Sequence, residues 1–231
     1  MIVSEVFGPT VQGEGPSTGR RCGFVRLGRC NLDCSWCDTP YTWDWTGKNG
    51  TVYDPAVELS RVNLTDVADR VLAMGVGLLV VTGGEPMVQQ RSVAELCNML
   101  DGVDVEVETN GTIMPQGYTT EQVTRYNVSP KLANSGVDLD RRIIVDTLVA
   151  YRDTGKAAYK FVAESHACLD EVATIIGQAG ISDDLVWVMP QGTDTTTLTE
   201  HNTAVADEVI ARGWNLSGRL HVQLWGNRRA V

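Results

Sequence analysis

The sequence predicts an α/β fold with parallel strands, shaped as a partial, trimmed β/α barrel. Three observations carry this expectation. Short apolar, β-rich runs alternate with longer amphipathic stretches along the chain, which is the pattern of strand–crossover–strand units. The 231 residues hold six or so such units around one core. Unusual polar groups fall at the ends of the apolar runs, where a β/α barrel gathers its active-site loops. No internal repeat, low-complexity stretch or linker interrupts the pattern, so residues 1–231 read as a single domain.

Taken in order, strands are expected over Phe24–Leu27, Gly77–Val81, Val103–Val107, Thr124–Val128, Ala158–Val162, Leu185–Met189 and Arg219–Leu224. Each is a short run of β-branched, aromatic and other apolar residues. Helices are expected over Asp66–Met74, Ser92–Leu100, Arg142–Arg152, His166–Gln178 and Glu200–Arg212. Residues 43–58, with Gly47 and Gly50, read as an irregular excursion.

Composition excludes several classes. Hydrophobic residues make up 43%, too many for a disordered chain. No apolar run reaches the length of a membrane span. The stretch Met1–Glu5 lacks a basic start and an apolar core, so no export signal is read, and a reducing cytoplasmic location is expected. The formal net charge of −10 argues against a nucleic-acid surface but leaves a nucleotide-like small substrate open. Arg20, Arg21, Arg26 and Arg29 concentrate early. They read either as a solvated face or as an anion-binding or donor-docking surface.

Three cysteines in one loop, Cys30-Asn31-Leu32-Asp33-Cys34-Ser35-Trp36-Cys37, give the spacing C-x3-C-x2-C. Iron–sulfur cubanes take cysteine thiolates, normally four. Three would leave one iron open to a small molecule. A structural zinc site wants four closed ligands, usually as two short pairs, and no second pair exists; Cys22, Cys97 and Cys168 read as small core residues. Zinc remains the alternative.

The strand ending at Val81 runs into Thr82-Gly83-Gly84-Glu85-Pro86. Two glycines let backbone approach a ligand closely, and with the Glu85 carboxylate they suit the three donors of an amino-acid ammonium. Glu108-Thr109-Asn110-Gly111, Ser129-Pro130-Lys131 and Met189-Pro190-Gln191 close other strands, and His221 is expected on the last one. His166 and His201 fall on helices and read as surface or capping residues.

The cysteine loop and the Gly-Gly-Glu-Pro motif together resemble the radical S-adenosylmethionine (radical SAM) superfamily. Within it, Gln12-Gly13-Glu14-Gly15, then Phe24-Val25-Arg26-Leu27, Cys37-Asp38-Thr39, Thr82–Pro86, Glu108–Gly111, Ser129–Lys131, Arg219-Leu220-His221 and Leu224-Trp225-Gly226 resemble, in order, the 7-carboxy-7-deazaguanine synthase family. The resemblance implies a radical SAM β/α partial barrel with a [4Fe–4S] cluster on Cys30, Cys34 and Cys37. It implies S-adenosylmethionine near Gly84, Ser129, Lys131 and Gln191. Gly83 and Glu85 join these on the ammonium argument. Trp36 is expected to pack on the cluster or the adenine, and Asp38 to shape the loop beside the same cofactor. A Mg2+ ligand is implied at Thr39.

The implied reaction contracts the ring of 6-carboxy-5,6,7,8-tetrahydropterin to 7-carboxy-7-deazaguanine with loss of ammonia, feeding 7-deazapurine and queuosine biosynthesis. Val11, Gln12, Gly13 and Glu14 would then meet the pterin, with Glu14 accepting from its amino-pyrimidine edge and Gln12 both donating and accepting there. Arg26 would fork onto the substrate carboxylate, and Thr82 and His221 would hydrogen-bond from the barrel side. Implied partners are an electron donor such as flavodoxin or ferredoxin and a second copy in a homodimer. The rival readings are a glycyl-radical-enzyme activating enzyme, which needs an open protein-docking groove, and a zinc-stabilised binding protein.

Overall fold

A computed structural model describes residues 1–231. Nine strands form one sheet: β1 (Ile2–Val11), β2 (Arg21–Leu27), β3 (Ser60–Arg61), β4 (Leu78–Gly83), β5 (Asp104–Thr109), β6 (Arg125–Val128), β7 (Ala157–Ala163), β8 (Val186–Pro190) and β9 (Asn215–Leu216). The helices are α1 (Pro55–Glu58), α2 (Leu64–Ala73), α3 (Gln90–Cys97), α4 (Gly117–Gln122), α5 (Leu139–Arg142), α6 (Val145–Asp153), α7 (His166–Ala179), α8 (Thr195–Ala211) and α9 (Leu220–Trp225). The strand order is β3-β1-β2-β4-β5-β6-β7-β8-β9, with no pairing between the two end strands. The array is therefore an open, partial barrel.

From β2 onward every pairing is parallel, for example Val25 with Val81 and Val107 with Tyr126. The expected strands from Phe24 to Met189 are all present, within a few residues. The parallel set gains an antiparallel edge, since β1 pairs with both β2 and β3. Sequence reading had no strand over Ile2–Val11 because Gly8-Pro9 interrupts it. The structure places that dipeptide in a register shift between Phe7 and Thr10, where a strand tolerates proline.

Side chains alternate across the sheet. Leu79 and Val81, Val105 and Val107, Tyr159 and Phe161, and Val186 and Val188 face the helices, joining Val67, Val71, Leu96, Leu148, Leu169 and Val205 in the main core. The concave face differs. Its apolar part is a small cluster of Cys22, Leu78 and Val80 against Phe24. The rest mixes polar and apolar groups: Glu106, Asn127 and Lys160 are all buried there, and Val162 and Met189 line the cavity.

Three expected elements are corrected. Arg219–Leu224 is not a strand. The last strand is the two-residue β9, whose ladder stops where Ser217 donates to the Val188 carbonyl (2.8 Å). The chain then turns into α9, which begins with the Leu220 amide on the Gly13 carbonyl (2.9 Å). The alternation Leu220, Val222, Leu224 mimicked a strand, yet only Val222 is buried. The helix expected over Arg142–Arg152 is two helices, α5 and α6, with extended backbone at Ile143 and Ile144. Arg142 is buried and held by Glu171 (2.6 Å) and the carbonyls of Val137 (3.1 Å) and Lys131 (2.8 Å), which fixes the break. Finally, α8 starts at Thr195 rather than Glu200, capped by Asp194 accepting from the Thr197 amide (2.9 Å). No helix is long and apolar enough to cross a membrane.

Arg142 ties α5 to α7 and to the Lys131 loop. Arg142→Met should lower unfolding free energy by about 2 kcal/mol, because it strands polar partners in a half-buried setting. Urea denaturation of both proteins at pH 7 measures this. A change within about 0.5 kcal/mol would show that the arginine is dispensable to the fold.

Candidate active site

The hairpin turn between β1 and β2 is closed by Gln12 donating to Arg20 (2.8 Å) and Gly19 donating to Gln12 (2.7 Å). Because β2 runs parallel to β4, this turn lies at the N-terminal end of the array. Contacts confirm it: Arg20 pairs with Asp104 at the start of β5, and Arg21 reaches the Met74 and Gly75 carbonyls (3.1 and 2.6 Å) ahead of β4. The turn folds across the opening. Ser17 donates to Glu106, and the Gly15 amide donates to Ser217 Oγ (2.7 Å). It forms the floor of the barrel.

Glu14 sits at the centre of that floor. One carboxylate oxygen accepts from Lys160 on β7, the other from Arg219 Nε (2.8 Å). Burial alone would raise its pKa, but the two cations hold it well below the usual 4.5. Burial would likewise lower Lys160, yet Glu14 keeps its ammonium charged. His221 Nε2 lies 3.9 Å from Glu14; burial, acting against that carboxylate, lowers its pKa and leaves a neutral imidazole at neutral pH. Gly13 is required beside it, since a Cβ there would lie 2.0 Å from His221 Nδ1. Beside Glu14, Glu108 on β5 accepts from Gln12 Nε2 (3.1 Å) and Thr82 Oγ1 (2.7 Å). Gln12 Oε1 accepts the Glu14 amide (3.2 Å). One of the two Nε2 donors of Gln12 and one acceptor position of its Oε1 are thus taken within the protein, and one donor and one acceptor position remain.

The rim is built from the C-terminal ends of the strands. The cysteine loop follows β2. Leu32 and Val137 pack against Cys30, Cys34 and Cys37, and burial raises all three thiols, Cys30 to about 12. Two donors point at sulfur: the Leu32 amide at Cys30 Sγ (3.4 Å) and Trp43 Nε1 at Cys37 Sγ (3.3 Å). Thr39 Oγ1 lies 3.7 Å from Cys37 Sγ. The excursion at residues 44–53 braces the loop from outside. Asp44 accepts four backbone amides from Thr46 to Asn49, Asn49 donates to the Cys34 carbonyl (3.2 Å), and Lys48 pairs with Asp33.

Next to the loop, Gly83 and Gly84 pack on the backbone of Leu27 and Arg29. A Cβ on Gly84 would lie 2.0 Å from the Arg29 carbonyl oxygen, and Gly83 has a φ of +138°. Glu85 does not face this space. It is fully buried and accepts from Met87 N (2.9 Å), Thr109 Oγ1 (2.8 Å) and Asn110 N (2.6 Å), tying the end of β4 to the end of β5. The expected contact between Glu85 and an ammonium is therefore corrected: the exposed acceptors here are backbone groups. Lys131 Nζ lies 5.6 Å from the Trp36 ring centre and donates to Ser129 Oγ (3.0 Å). Asp38, at the mouth, pairs with Arg219.

Floor and rim enclose a cavity of about 250 Å3, and every site residue named from the sequence except Glu85 lines it. Arg26 lines it with Nε on Glu5 (2.8 Å). Of the early basic residues, Arg20 and Arg21 lie at the far end and only Arg29 flanks the cysteine loop. Sequence reading missed Lys160, Arg219 as a contact and Trp43, all of which line the cavity, as do Glu108 from the strand end singled out in the sequence and the stretch Gly226–Val231. Lys160 carried a signal, a lysine inside the uniformly buried strand Ala157–Ala163. In the last stretch, Arg229 stacks on Tyr41 (3.6 Å) and pairs with Glu5 and Glu58 (both 3.0 Å).

Comparison with known proteins matches this arrangement. A family model described as "Radical SAM superfamily" matches residues 25–145. The chain is 34% identical to 7-carboxy-7-deazaguanine synthase of Pyrobaculum aerophilum, across 98% of this chain and 96% of the relative. It is 30% identical to the enzyme of the same name from Rhodopirellula baltica, across 100% and 89%. The chain belongs to the 7-carboxy-7-deazaguanine synthase family of radical SAM enzymes. The crystal structure of QueE from Escherichia coli has the same fold, with a TM-score of 0.70 at 22% identity over 95% of this chain and 94% of that one.

Family membership brings the superfamily's cofactors, a [4Fe–4S] cluster on cysteine thiolates and S-adenosylmethionine, and the residues present fit them. Three cysteines share one pocket, with N–H donors aimed at two of the three sulfurs. In a cubane each thiolate binds a different iron, so three sulfurs around one pocket suit it.

Glu14→Gln should cost about 3 kcal/mol of stability at pH 7, since it leaves the Lys160 charge buried without its anion. A carboxyl lowered on folding stabilises fully above its unfolded pKa and loses that contribution as pH falls to the folded one. The gap between wild type and variant should therefore hold from pH 8 to 5 and close only below about 4. Thermal melts across that range test it; a gap that closes already at pH 6 would contradict a depressed Glu14.

Proposed function

We propose that residues 1–231 form one radical SAM domain that converts 6-carboxy-5,6,7,8-tetrahydropterin to 7-carboxy-7-deazaguanine with loss of ammonia. The name of the relatives, 7-carboxy-7-deazaguanine synthase, supports the product. The observation that carries the reading is a carboxylate, Glu14, held ionised on the floor of a small cavity directly beneath a three-cysteine rim.

The chain's own groups suit this substrate. A carboxylate has about four acceptor positions, and Lys160 and Arg219 occupy one on each oxygen. The remainder accepts from the amino-pyrimidine edge, with Gln12 Oε1 beside it. Val11 and Gly13 line the same edge. Neutral His221 and the Thr82 hydroxyl meet ring polar atoms. Arg26 keeps both terminal nitrogens for the substrate carboxylate, because its protein partner Glu5 takes only Nε. At the rim, Gly83, Gly84, Ser129, Lys131, Gln191 and Trp36 surround S-adenosylmethionine, and Asp38 shapes the loop. Thr39 offers a hydroxyl to Mg2+, which accepts few protein ligands and keeps waters. When bound, the reduced cluster and S-adenosylmethionine supply a carbon radical that removes one hydrogen from the substrate. Loss of ammonia accounts for the whole difference between pterin and product, so the conversion is redox-neutral and the hydrogen returns.

A flavodoxin or ferredoxin as electron donor, a homodimer and a cytoplasmic setting complete the proposal. The enclosed polar floor favours a small substrate over the protein segment that an activating enzyme would need.

Anaerobic reconstitution with iron, sulfide, reductant, Mg2+, S-adenosylmethionine and the carboxypterin should yield a product lighter than substrate by one ammonia. 5′-Deoxyadenosine without that product would sink the substrate assignment, and bound zinc with neither would sink the enzyme reading. Arg26→Lys should lose about tenfold in kcat/KM, mostly in KM, because an ammonium cannot fork onto a carboxylate. An unchanged KM would remove Arg26 from the carboxylate site.

A further inference from the structure

We propose that Arg219 is a positioning residue for the reaction, a clasp across the open side of the barrel that holds the floor carboxylate Glu14 and the cysteine loop in one rigid frame. The inference rests on the reading above only in taking Glu14 to face the substrate.

Arg219 precedes α9 and is buried, with its side chain 9% exposed. Its guanidinium serves three segments. Nε donates to Glu14 Oε1 on the floor (2.8 Å), Nη1 to the Gly192 carbonyl after β8 (2.7 Å), and Nη2 to Asp38 in the residue after Cys37. Nη2 also lies 3.4 Å from His221 Nε2. No sheet hydrogen bond connects β9 to β1, β2 or β3. Asp38 follows β2 and Gly192 follows β8, so these contacts span the gap that the backbone ladder leaves open. A rigid planar fork can reach three acceptors in three directions at once, while an ammonium on a flexible stem concentrates its charge at one point. The substrate stands on Glu14 and the reacting cofactor on the cysteine loop. The guanidinium therefore fixes their separation, and displacements of about 1 Å at such sites cost catalysis heavily. A loosened frame generates the radical but spends it away from the substrate carbon.

The test compares full-length wild type, Arg219→Lys and Asp38→Asn. In the protein without cofactors, R219K should speed backbone hydrogen exchange by about tenfold in residues 12–17 and 33–39, leaving β4 and β5 protected. D38N discharges only the outer arm, leaving a neutral acceptor in place of the carboxylate, and should speed exchange in 33–39 alone. After reconstitution, the ratio of 5′-deoxyadenosine to carboxydeazaguanine should rise about tenfold in R219K and severalfold in D38N. A purely structural arginine would lower both products together at a constant ratio, and that outcome overturns the proposal. So does wild-type exchange in both segments of R219K. Should R219K not fold, D38N decides alone, and wild-type exchange with a wild-type ratio there overturns it. Failure of wild type to make carboxydeazaguanine would instead refute the substrate reading, and the exchange measurements would still judge the clasp.

Discussion

Glu14 is held, its side chain 13% exposed, between Lys160 and Arg219, and the arrangement of the concave face depends on that ionic contact. An open sheet exposes its concave face along the missing side. Here the hairpin turn after β1 crosses that face, and a carboxylate at its tip meets one cation from β7 and another from the segment after β9. Removing Glu14 leaves Lys160 as a buried cation without its anion, which is far costlier than never having placed it there; removing either cation leaves the carboxylate with one partner instead of two. The arrangement stabilises little by itself. Its value is in fixing where the turn, the β7 interior and the last segment lie relative to one another.

This explains why the two faces of the sheet are so different. The helix-facing side holds the large core from Val3 to Trp214 and supplies the hydrophobic stabilisation. Only Cys22, Leu78, Val80 and Phe24 form an apolar base on the other side. Above that base, Glu106 takes Ser17 and Asn127, and Glu108 takes Gln12 and Thr82. Every one of these pairs joins residues from different strands or from the hairpin turn. Satisfied polar networks of this kind specify one geometry where an apolar filling would tolerate several. They also leave the cavity lined by groups of defined donor or acceptor character.

What the sequence disclosed follows from how local each feature is. The cysteine loop and Gly83-Gly84 are contiguous, and their chemistry is written in spacing and in the need for close backbone approach, so both were legible. The parallel strands were legible because each is a continuous apolar run. Glu14, Lys160 and Arg219 are separated by 146 and 205 positions along the chain, and no local pattern joins them. His221 was placed correctly in the cavity but on the wrong element, because residues 220–224 alternate as a strand does while their backbone is drawn into a helix by the Gly13 carbonyl. Glu85 shows the opposite error. It was read as a ligand contact because it stands in the right motif, yet buried backbone amides had already claimed its oxygens. A carboxylate beside a ligand loop is available only if the end of the neighbouring strand has no unpaired amides to satisfy.

Floor and rim divide the chemistry between them. The rim, Cys30 to Cys37 with Gly83 and Gly84, is glycine-shaped and built from backbone approach. Nothing in it distinguishes one organic substrate from another. The floor is charged, uses side chains from the hairpin turn, β5, β7 and the approach to α9, and presents acceptors in a set order. On the proposed assignment, selectivity among small substrates resides in the floor and the capacity for radical chemistry in the rim. Arg219 is the group that belongs to both, since one guanidinium touches Glu14 below and Asp38 above. On that assignment a change of substrate requires re-cutting the hairpin turn, Arg26 on β2, Thr82 on β4 and the inward positions of β5 and β7. The cysteine loop can stay as it is, provided whatever replaces Glu14 still gives Lys160 and Arg219 an anion to hold.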